Sequence, residues 1–143
     1  MFIGEYTHTI DQKKRLAIPA KFRKELGRRV VVTRGLDSCL FVFPDREWKM
    51  LADKLGKLPI GHKDARGFVR LMLAGAMQDD LDGLGRIIIP DYLKNYAQLG
   101  KQVIIAGLYN RVEIWDENIW NKYKREAERD AGDMAERMGE LGI

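Results

Sequence analysis

The sequence predicts an α+β fold made of two tandem, pseudo-symmetric copies of one βαββα-type unit. The chain repeats both a short polar motif and an apolar pattern at an offset of 71 residues. Such internal repetition defines the architecture before any single element does. Hydrophobic residues make up 45% of the 143 residues, which is enough for the core of one ordinary domain.

The repetition is clearest where residues 6–26 align with residues 77–97. Asp11 then aligns with Asp82, and Arg15 aligns with Arg86, each four residues after its aspartate. Downstream the register slips by two residues and later returns by one, at positions where turns are expected to tolerate length changes. Motif residues and apolar positions therefore repeat in the same order along both copies.

The elements of each copy are predicted in one order: an extended strand, a polar loop, a short apolar strand, a short helix, a hairpin and a longer helix. Pro19 and Pro90 open the short helices, because the amide that proline lacks would be unpaired there anyway. Gly27 and Gly100 stand where a left-handed residue would end those helices. The predicted strands are 2–10, 15–18, 29–33 and 39–43 in the first copy, and 76–81, 86–89, 102–106 and 111–115 in the second.

The apolar spacing predicts three longer helices. The first follows strand 39–43 and presents one apolar face, the second covers about residues 63–74, and the third ends the chain with a thinner stripe. The predicted organisation is a first repeat at 1–58, a linking helix at 59–75, a second repeat at 76–125 and a helical tail at 126–143. Four short strands leave exposed edges, so we expect the copies to pack about a pseudo-twofold axis as one closed β core. The face of the first helix consists of Trp48, Leu51, Ala52, Leu55 and Leu58.

Positive charge is concentrated in the first half of the chain. Residues 1–71 hold sixteen Lys and Arg against eight Asp and Glu, whereas residues 72–143 hold nine against thirteen. Nine basic residues but a single acid, Glu25, lie between Lys13 and Arg34. Such a cluster is an electrostatic footprint for phosphate, although a solvated basic surface is the alternative.

The repeated motif is Asp-x-x-x-Arg, followed by an aliphatic residue and Ile-Pro. An aspartate that begins a loop can accept backbone amides two or three residues along, and so fix the shape of the loop. The arginine carries a planar charged fork suited to phosphate or to the O6/N7 edge of guanine. An internal Asp–Arg ion pair that closes the turn is the alternative. The motif stands at residues 11–19 and at residues 82–90.

The first loop is the better candidate for DNA contact. Arg15 would bind a base edge or a phosphate, and Gln12, Lys13 and Lys14 would add contacts to the backbone of DNA. The second loop has Gly83 and Gly85 in place of Gln12 and Lys14, and contains no lysine. We therefore expect the first copy to make most of the DNA contact and the second mainly to complete the fold and build subunit contacts.

Three nearby carboxylates strengthen that expectation for Arg86. Asp79, Asp80 and Asp82 precede it within seven residues. They would repel the DNA polyanion and offer Arg86 partners inside the chain.

Together the two motifs, each followed by Ile-Pro and a short helix, resemble those of the MraZ family of bacterial transcriptional regulators, which carry two SpoVT-AbrB-like repeats. The resemblance covers residues 2 to about 125. It implies an AbrB-like swapped-hairpin β barrel with peripheral helices. On this resemblance Arg15 and Arg86 would face DNA, and Asp11 and Asp82 would organise the loops.

The same resemblance implies what the protein does. It implies ring-like homo-oligomers that bind double-stranded DNA at repeated promoter boxes ahead of the division and cell-wall gene cluster. It also implies a cytoplasmic, nucleoid-associated protein. A lone cysteine fits a reducing cytoplasm, and neither a signal peptide nor an apolar run of roughly 18 residues is seen in the sequence.

Catalysis is not expected. His8 and His62 are the only histidines, and Cys39 lies in an apolar run typical of a small buried residue. Motifs for serine hydrolases, zinc proteases and paired Cys-x-x-Cys sites are absent, and the glycines at 83 and 85 lack the third glycine of a dinucleotide loop. We expect no enzyme activity, no cofactor, no metal, no membrane and no small-molecule substrate.

A protein-binding module, similar to the antitoxin half of a complex, is the alternative function. Its evidence would be the apolar stripe of Trp120, Tyr123 and Ala127. That stripe would otherwise pack on the chain's own barrel or on a sister subunit.

Overall fold

The protein folds as a mixed α+β structure, described here by a computed structural model that covers residues 1–143. It has eight strands and five α-helices, with a π-helical turn (Arg70–Ala74) directly after the third helix and a 3-10 turn (Gly139–Leu141) after the last. The strands are β1 (Phe2–Thr9), β2 (Arg15–Ala17), β3 (Arg29–Arg34), β4 (Leu40–Pro44), β5 (Met77–Asp80), β6 (Arg86–Ile88), β7 (Gln102–Tyr109) and β8 (Arg111–Asp116). The helices are α1 (Ala20–Leu26), α2 (Asp45–Gly56), α3 (Lys63–Val69), α4 (Asp91–Tyr96) and α5 (Glu117–Met138).

Six strands form one antiparallel sheet in the order β1-β7-β8-β4-β3-β5. The counterparts in the two copies are β1 and β5, β3 and β7, and β4 and β8. Exchanging each strand for its counterpart gives the same order, read from the opposite edge of the sheet. All eight residues of β1 pair with β7 of the second copy, and β5 pairs with β3 of the first. Each copy therefore completes the sheet of the other about a pseudo-twofold axis.

The remaining two strands, β2 and β6, pair with each other as a separate antiparallel ribbon. Leu16 lies opposite Ile87 at the centre of the ribbon, and both are buried. Since successive side chains of a strand point to opposite faces, the residues that flank this pair lie on the outer face. The ribbon thus contributes one apolar pair to the core and presents its other face outward.

One hydrophobic cluster forms the core and draws on both copies. Ile18 and Ile89 are fully buried in it, as are Phe22 of α1 and Leu93 of α4. These residues occupy aligned positions of the two copies. The repetition in the sequence is therefore also a repetition in the core.

The predicted α+β class is confirmed, but a closed β barrel is not found. β1 and β5 are the two edges of the six-stranded sheet, and no ladder joins them. Each edge strand instead leads through its loop into one strand of the β2–β6 ribbon. The ribbon thereby connects the two edges at the place where a barrel would need direct β1–β5 pairing.

The two short helices end differently, although the sequence predicted the same ending. Gly27 follows α1 with φ 77°, in the positive region. In the second copy the positive φ falls on Gln98 instead, at 54°, and the amide of Gly100 donates to Asp116 Oδ1 at 2.9 Å. The connection after α4 is longer, so the chain has already turned before it reaches Gly100, and the prediction for that residue is wrong.

Helix α2 packs on the sheet through Trp48, whose ring lies 5.8 Å from that of Phe43. Leu58 does not share this face, because α2 ends at Gly56 and Leu58 is exposed. The linking segment is held by β3, since Thr33 donates its hydroxyl to the carbonyl of Met72 at 2.7 Å. The helical connection predicted between the copies is therefore present as α3 and the π-helical turn.

Helix α5 packs only through its first turns. The rings of Trp120 and Tyr123 lie 5.3 and 5.2 Å from that of Trp115 on β8, so this part of the apolar stripe covers the chain's own sheet. No residue of α5 is fully buried. None of the helices combines the length and apolar composition that crossing a membrane requires.

We predict that the two copies unfold as one unit. Ile18→Ala should lower the free energy of unfolding by about 2–5 kcal/mol, because it opens a cavity in a core that both copies share. Urea denaturation followed by tryptophan fluorescence and by far-ultraviolet circular dichroism should give coincident single transitions. Ile60→Ala is the matched control: Ile60 is 85% exposed, and its loss should cost less than about 0.5 kcal/mol. Two separate transitions would contradict the shared core.

Candidate nucleic-acid interface

Asp11 shapes the first loop through three hydrogen bonds. Its Oδ1 accepts the backbone amides of Lys13 and Arg15, both at 2.9 Å, and its Oδ2 accepts Nε of Arg15 at 2.7 Å. The amide of Asp11 in turn donates to the carbonyl of Arg15 at 3.0 Å. One carboxylate therefore holds the loop backbone and the arginine at its far end in a single arrangement.

Asp82 makes the same contacts in the second loop. Its Oδ1 accepts the amides of Leu84 and Arg86 at 2.9 Å, and its Oδ2 accepts Nε of Arg86 at 2.8 Å. Both loops also place a residue with positive φ just before the arginine: Lys14 at 64° and Gly85 at 73°. The two loops thus share one backbone shape although their middle residues differ.

The loops bond to each other's copy as well. The amide of Ile89 donates to the carbonyl of Lys14, and the amide of Ile18 donates to the carbonyl of Gly85, both at 2.9 Å. These two bonds continue the β2–β6 ribbon at either end. The ribbon therefore fixes the position of one loop relative to the other.

Arg15 and Arg86 lie on the same outer face of the ribbon. In the register Arg15 pairs with Ile88, and Arg86 pairs with Ala17, so both arginine side chains leave the face opposite to the buried Leu16–Ile87 pair. Their side chains are 32% and 26% exposed. Only their Nε atoms bond to the aspartates, and the Nη groups find no hydrogen-bond acceptor in the chain. Two charged forks are therefore oriented toward one external surface.

The pKa of both aspartates is lowered in the folded protein. The backbone amide of Arg15 is the main cause that lowers the pKa of Asp11, and the guanidinium of Arg15 adds to it. The backbone amide of Arg86 lowers the pKa of Asp82 in the same way. The internal Asp–Arg ion pair considered from the sequence is thus present in both loops, and it leaves both Nη groups of each guanidinium free.

The other polar residues of the first loop differ in their surroundings. Lys14 pairs through Nζ with Asp91 at the start of α4, at 2.9 Å. Gln12 and Lys13 are exposed, and their side chains make no hydrogen bond within the chain. The exposed amide and ammonium can therefore reach an external ligand without breaking an internal contact.

Two lysines of the second copy lie beside the first loop, and the sequence did not single them out. Lys94 and Lys101 line a cleft together with Asp11 and Gln12, and the carbonyl of Lys101 accepts the amide of Ile10 at 2.9 Å. They are far from the loop in sequence. Only the exchange of strands between the copies brings them there, so no local motif could have indicated them.

The carboxylates ahead of the second loop are not partners of Arg86 as a group. Asp80 pairs with Arg28 at 3.6 Å and with Arg29 at 3.3 Å. Asp79 accepts the amide of Ile88 at 3.1 Å. Of the three carboxylates that the sequence offers Arg86 as internal partners, only Asp82 contacts it, and Asp79 and Asp80 bind elsewhere. Arginines of the first copy neutralise part of this acidic segment because strand exchange places β3 against β5.

Cys39 is fully buried and donates its thiol to the carbonyl of Leu36 at 3.1 Å. Burial raises the pKa of this thiol, and the nearby Glu113 carboxylate adds to the effect. The residue packs with Ile104 and Trp115, as expected for a small hydrophobic side chain.

We predict that the ion pair in the first loop makes the free energy of unfolding depend on pH in the acidic range. Folding lowers the pKa of Asp11. The ionised carboxylate therefore contributes fully to the free energy of unfolding above the ordinary aspartate pKa of about 3.9, and this contribution is lost as the pH falls through the lower pKa of the folded state. Asp11→Asn keeps an oxygen acceptor for the amides but lacks the charge. The difference in unfolding free energy between wild type and Asp11→Asn should therefore be largest above about pH 5 and should shrink below about pH 4.

Urea titrations across this pH range would measure the difference. Asp133→Asn is the control, because Asp133 lies exposed on α5 and accepts no side-chain hydrogen bond. A difference for Asp11→Asn that stays constant from pH 6 to pH 3 would contradict the role given to the carboxylate.

Comparison with known proteins agrees with the two-copy architecture. A family profile described as "MraZ protein, putative antitoxin-like" matches residues 1–71 and again residues 72–141. The chain is 50% identical to the transcriptional regulator MraZ of Carboxydothermus hydrogenoformans over 138 residues, which is 96% of each chain. It is 50% identical to that of Alkaliphilus metalliredigens and 51% identical to that of Halothermothrix orenii, each over 143 residues and the full length of both chains. On these matches, which span both copies and both loops, the chain belongs to the MraZ family.

Proposed function

We propose that this protein is a sequence-specific DNA-binding transcriptional regulator. The observation that carries the proposal is the pair of Asp-organised loops on one surface, where Arg15 and Arg86 present unpaired Nη groups. The relatives that match over the whole chain are named transcriptional regulators, which supports the same function. As implied by the resemblance, its sites would be repeated promoter boxes upstream of the division and cell-wall gene cluster, and it would act in the cytoplasm at the nucleoid.

In this proposal the first loop makes most of the contact with DNA. Arg15 binds a guanine edge or a phosphate, and Gln12, Lys13 and Lys14 bind the backbone and fix the position of the loop on the duplex. Arg86 makes the corresponding contact from the second loop. Asp11 and Asp82 do not touch DNA but orient the arginines, which reduces the entropy lost when DNA binds.

Assembly of several subunits is part of the proposal. One subunit offers few basic contacts, which gives weak and poorly selective binding. Identical loops held in one ring act at high effective concentration, so that affinity rises steeply when DNA boxes repeat at a matching spacing. Specificity would then arise from box spacing as well as from base contacts. Genome-wide mapping of bound sites would reveal both the boxes and their spacing.

The alternative function is an antitoxin-like protein-binding module, which the wording of the family description favours. The first turns of α5 cannot serve it freely, because Trp120 and Tyr123 pack on the chain's own Trp115. Salt distinguishes the two functions. Binding through several lysines and arginines weakens steeply with added salt, whereas binding through an apolar interface does not.

We predict that Arg15→Ala abolishes most specific binding and leaves the fold intact. Loss of a bidentate base contact costs about 1–3 kcal/mol per site, and the loss multiplies over the loops that bind together. The loop keeps its shape, because Asp11 still accepts the backbone amides of residues 13 and 15. Fluorescence anisotropy with a duplex selected from a random library by wild-type protein would measure the change.

Lys13→Ala is the matched control within the same loop. It should weaken binding to the selected duplex and to a random duplex about equally, and make the salt dependence shallower. If Arg15→Ala binds the selected duplex as wild type does, the proposed function fails.

We predict a homo-oligomer larger than a dimer. Each chain has a mass of 16.5 kDa, so light scattering behind a sizing column separates the possible states clearly. The expected mass is several times that of one chain at micromolar concentration in moderate salt. A monomer under these conditions would contradict the ring and the avidity derived from it.

A further inference from the structure

Gly85 in the second loop is buried, although its neighbours Gly83 and Leu84 are exposed. The side chain that covers it is Arg23 of α1, which belongs to the first copy. A Cβ atom on Gly85 would lie 2.5 Å from Cζ and 2.6 Å from Cδ of Arg23. The absence of a side chain at residue 85 therefore creates the space in which the arginine lies.

Arg23 is held in this place by the backbone. Its Nε donates to the carbonyl of Ile18 at 2.7 Å, and the amide of Ile18 donates to the carbonyl of Gly85 at 2.9 Å. Arg23 takes part in none of the ion pairs of the chain. Its Nη groups make no hydrogen bond within the chain, so a fixed and partly exposed guanidinium remains without an anion.

The first loop also has a cation at its left-handed position, but a different residue supplies it. At the offset of 71, Lys14 stands where the second loop has Gly85, and Lys94 stands where the first copy has Arg23. Lys14 keeps a left-handed backbone at φ 64°, a conformation that costs a residue with a side chain of order 1–3 kcal/mol. The first loop thus carries its own cation at the strained position, and the second has glycine there with a cation laid over it from α1.

We infer that Arg23 binds a DNA phosphate beside the second loop, next to Arg86. This inference rests on the proposed DNA-binding function. Arg23 gives the second loop the cation that its own sequence lacks, and both loops then contact DNA. The second half of the chain has an excess of acidic residues, but this excess does not prevent the second loop from binding DNA. Part of the positive charge around that loop comes from the first half of the chain.

The test measures binding to a 40-base-pair duplex of random sequence over a series of salt concentrations, since a phosphate contact does not depend on base sequence. Arg23→Gln should lower affinity about tenfold, the effect of removing one charge-assisted hydrogen bond. It should also make the slope of log K against log salt shallower by about 0.9 for each phosphate that the protein no longer neutralises. Thermal unfolding and light scattering on the same variant verify that the fold and assembly are retained.

Lys24→Gln is the matched control. It removes the same charge from the next residue of α1, turned by about 100° around the helix axis, and Lys24 is exposed. Its effect on affinity should stay within about twofold, because it removes only a screened long-range interaction.

Two further variants separate the position of the cation from its mere presence. Gly85→Ala places a Cβ where Arg23 lies and should lower affinity as Arg23→Gln does, although the arginine is still in the chain. Arg23→Lys combined with Gly85→Lys gives the second loop the two residues that the first has at these positions, and should recover most of the affinity that Arg23→Lys alone loses.

The outcomes distinguish this inference from the function on which it rests. If Arg23→Gln and Lys24→Gln bind alike while Arg15→Ala loses specific binding, the role of Arg23 is overturned and the proposed function stands. If the double variant binds no better than Arg23→Lys alone, the equivalence of the two arrangements is wrong. If Arg15→Ala binds as wild type does, the proposed function itself fails.

Discussion

The antiparallel pairing of β2 with β6 is the constraint on which the candidate interface depends. Each strand has only three residues, which is too short to be stable except against a partner and a core. Leu16 and Ile87 provide that core contact. Because each strand begins with the arginine of one loop, the pairing also sets the distance and direction between the two guanidinium groups. Folding of the two copies and formation of the surface are therefore one event.

The aspartates add a second, local level of control. In the first loop a single carboxylate, that of Asp11, fixes two backbone amides and the long side chain of Arg15. Charge-assisted hydrogen bonds of this type are stronger than neutral ones, and they use only the Nε edge of each arginine. An ion pair that closes the turn and an arginine that contacts DNA are thus compatible. From the sequence they were alternatives, because a motif cannot tell which nitrogen of the fork is occupied.

Local and periodic features could be predicted from the sequence, whereas features that depend on distant pairing could not. The α+β class, the order of strands and helices, and the proline-led helices follow from patterns within about twenty residues. The pairing partners of β1 and β5 depend on contacts between distant parts of the chain, and β1 pairs with a strand roughly a hundred residues away. The same pairing brings Lys101 close to the first loop. Gly100 shows the limit from another direction: the residue with positive φ is Gln98, which stands at the unslipped offset of 71 from Gly27, so the two-residue slip of register falls after this residue and the alignment placed it too early.

The exchange of strands changes what a count of charges means. A chain divided at its midpoint has one basic half and one acidic half, but basic residues of the first half lie against the second at several places. Arg28 and Arg29 lie against Asp80, and Arg23 covers Gly85. The backbone of both loops is fixed in the same shape by the aspartate and by the residue with positive φ. The cation beside each loop is less constrained, since it can come from any element that reaches the place. The two loops therefore differ in sequence, yet each has a cation from the other copy beside it.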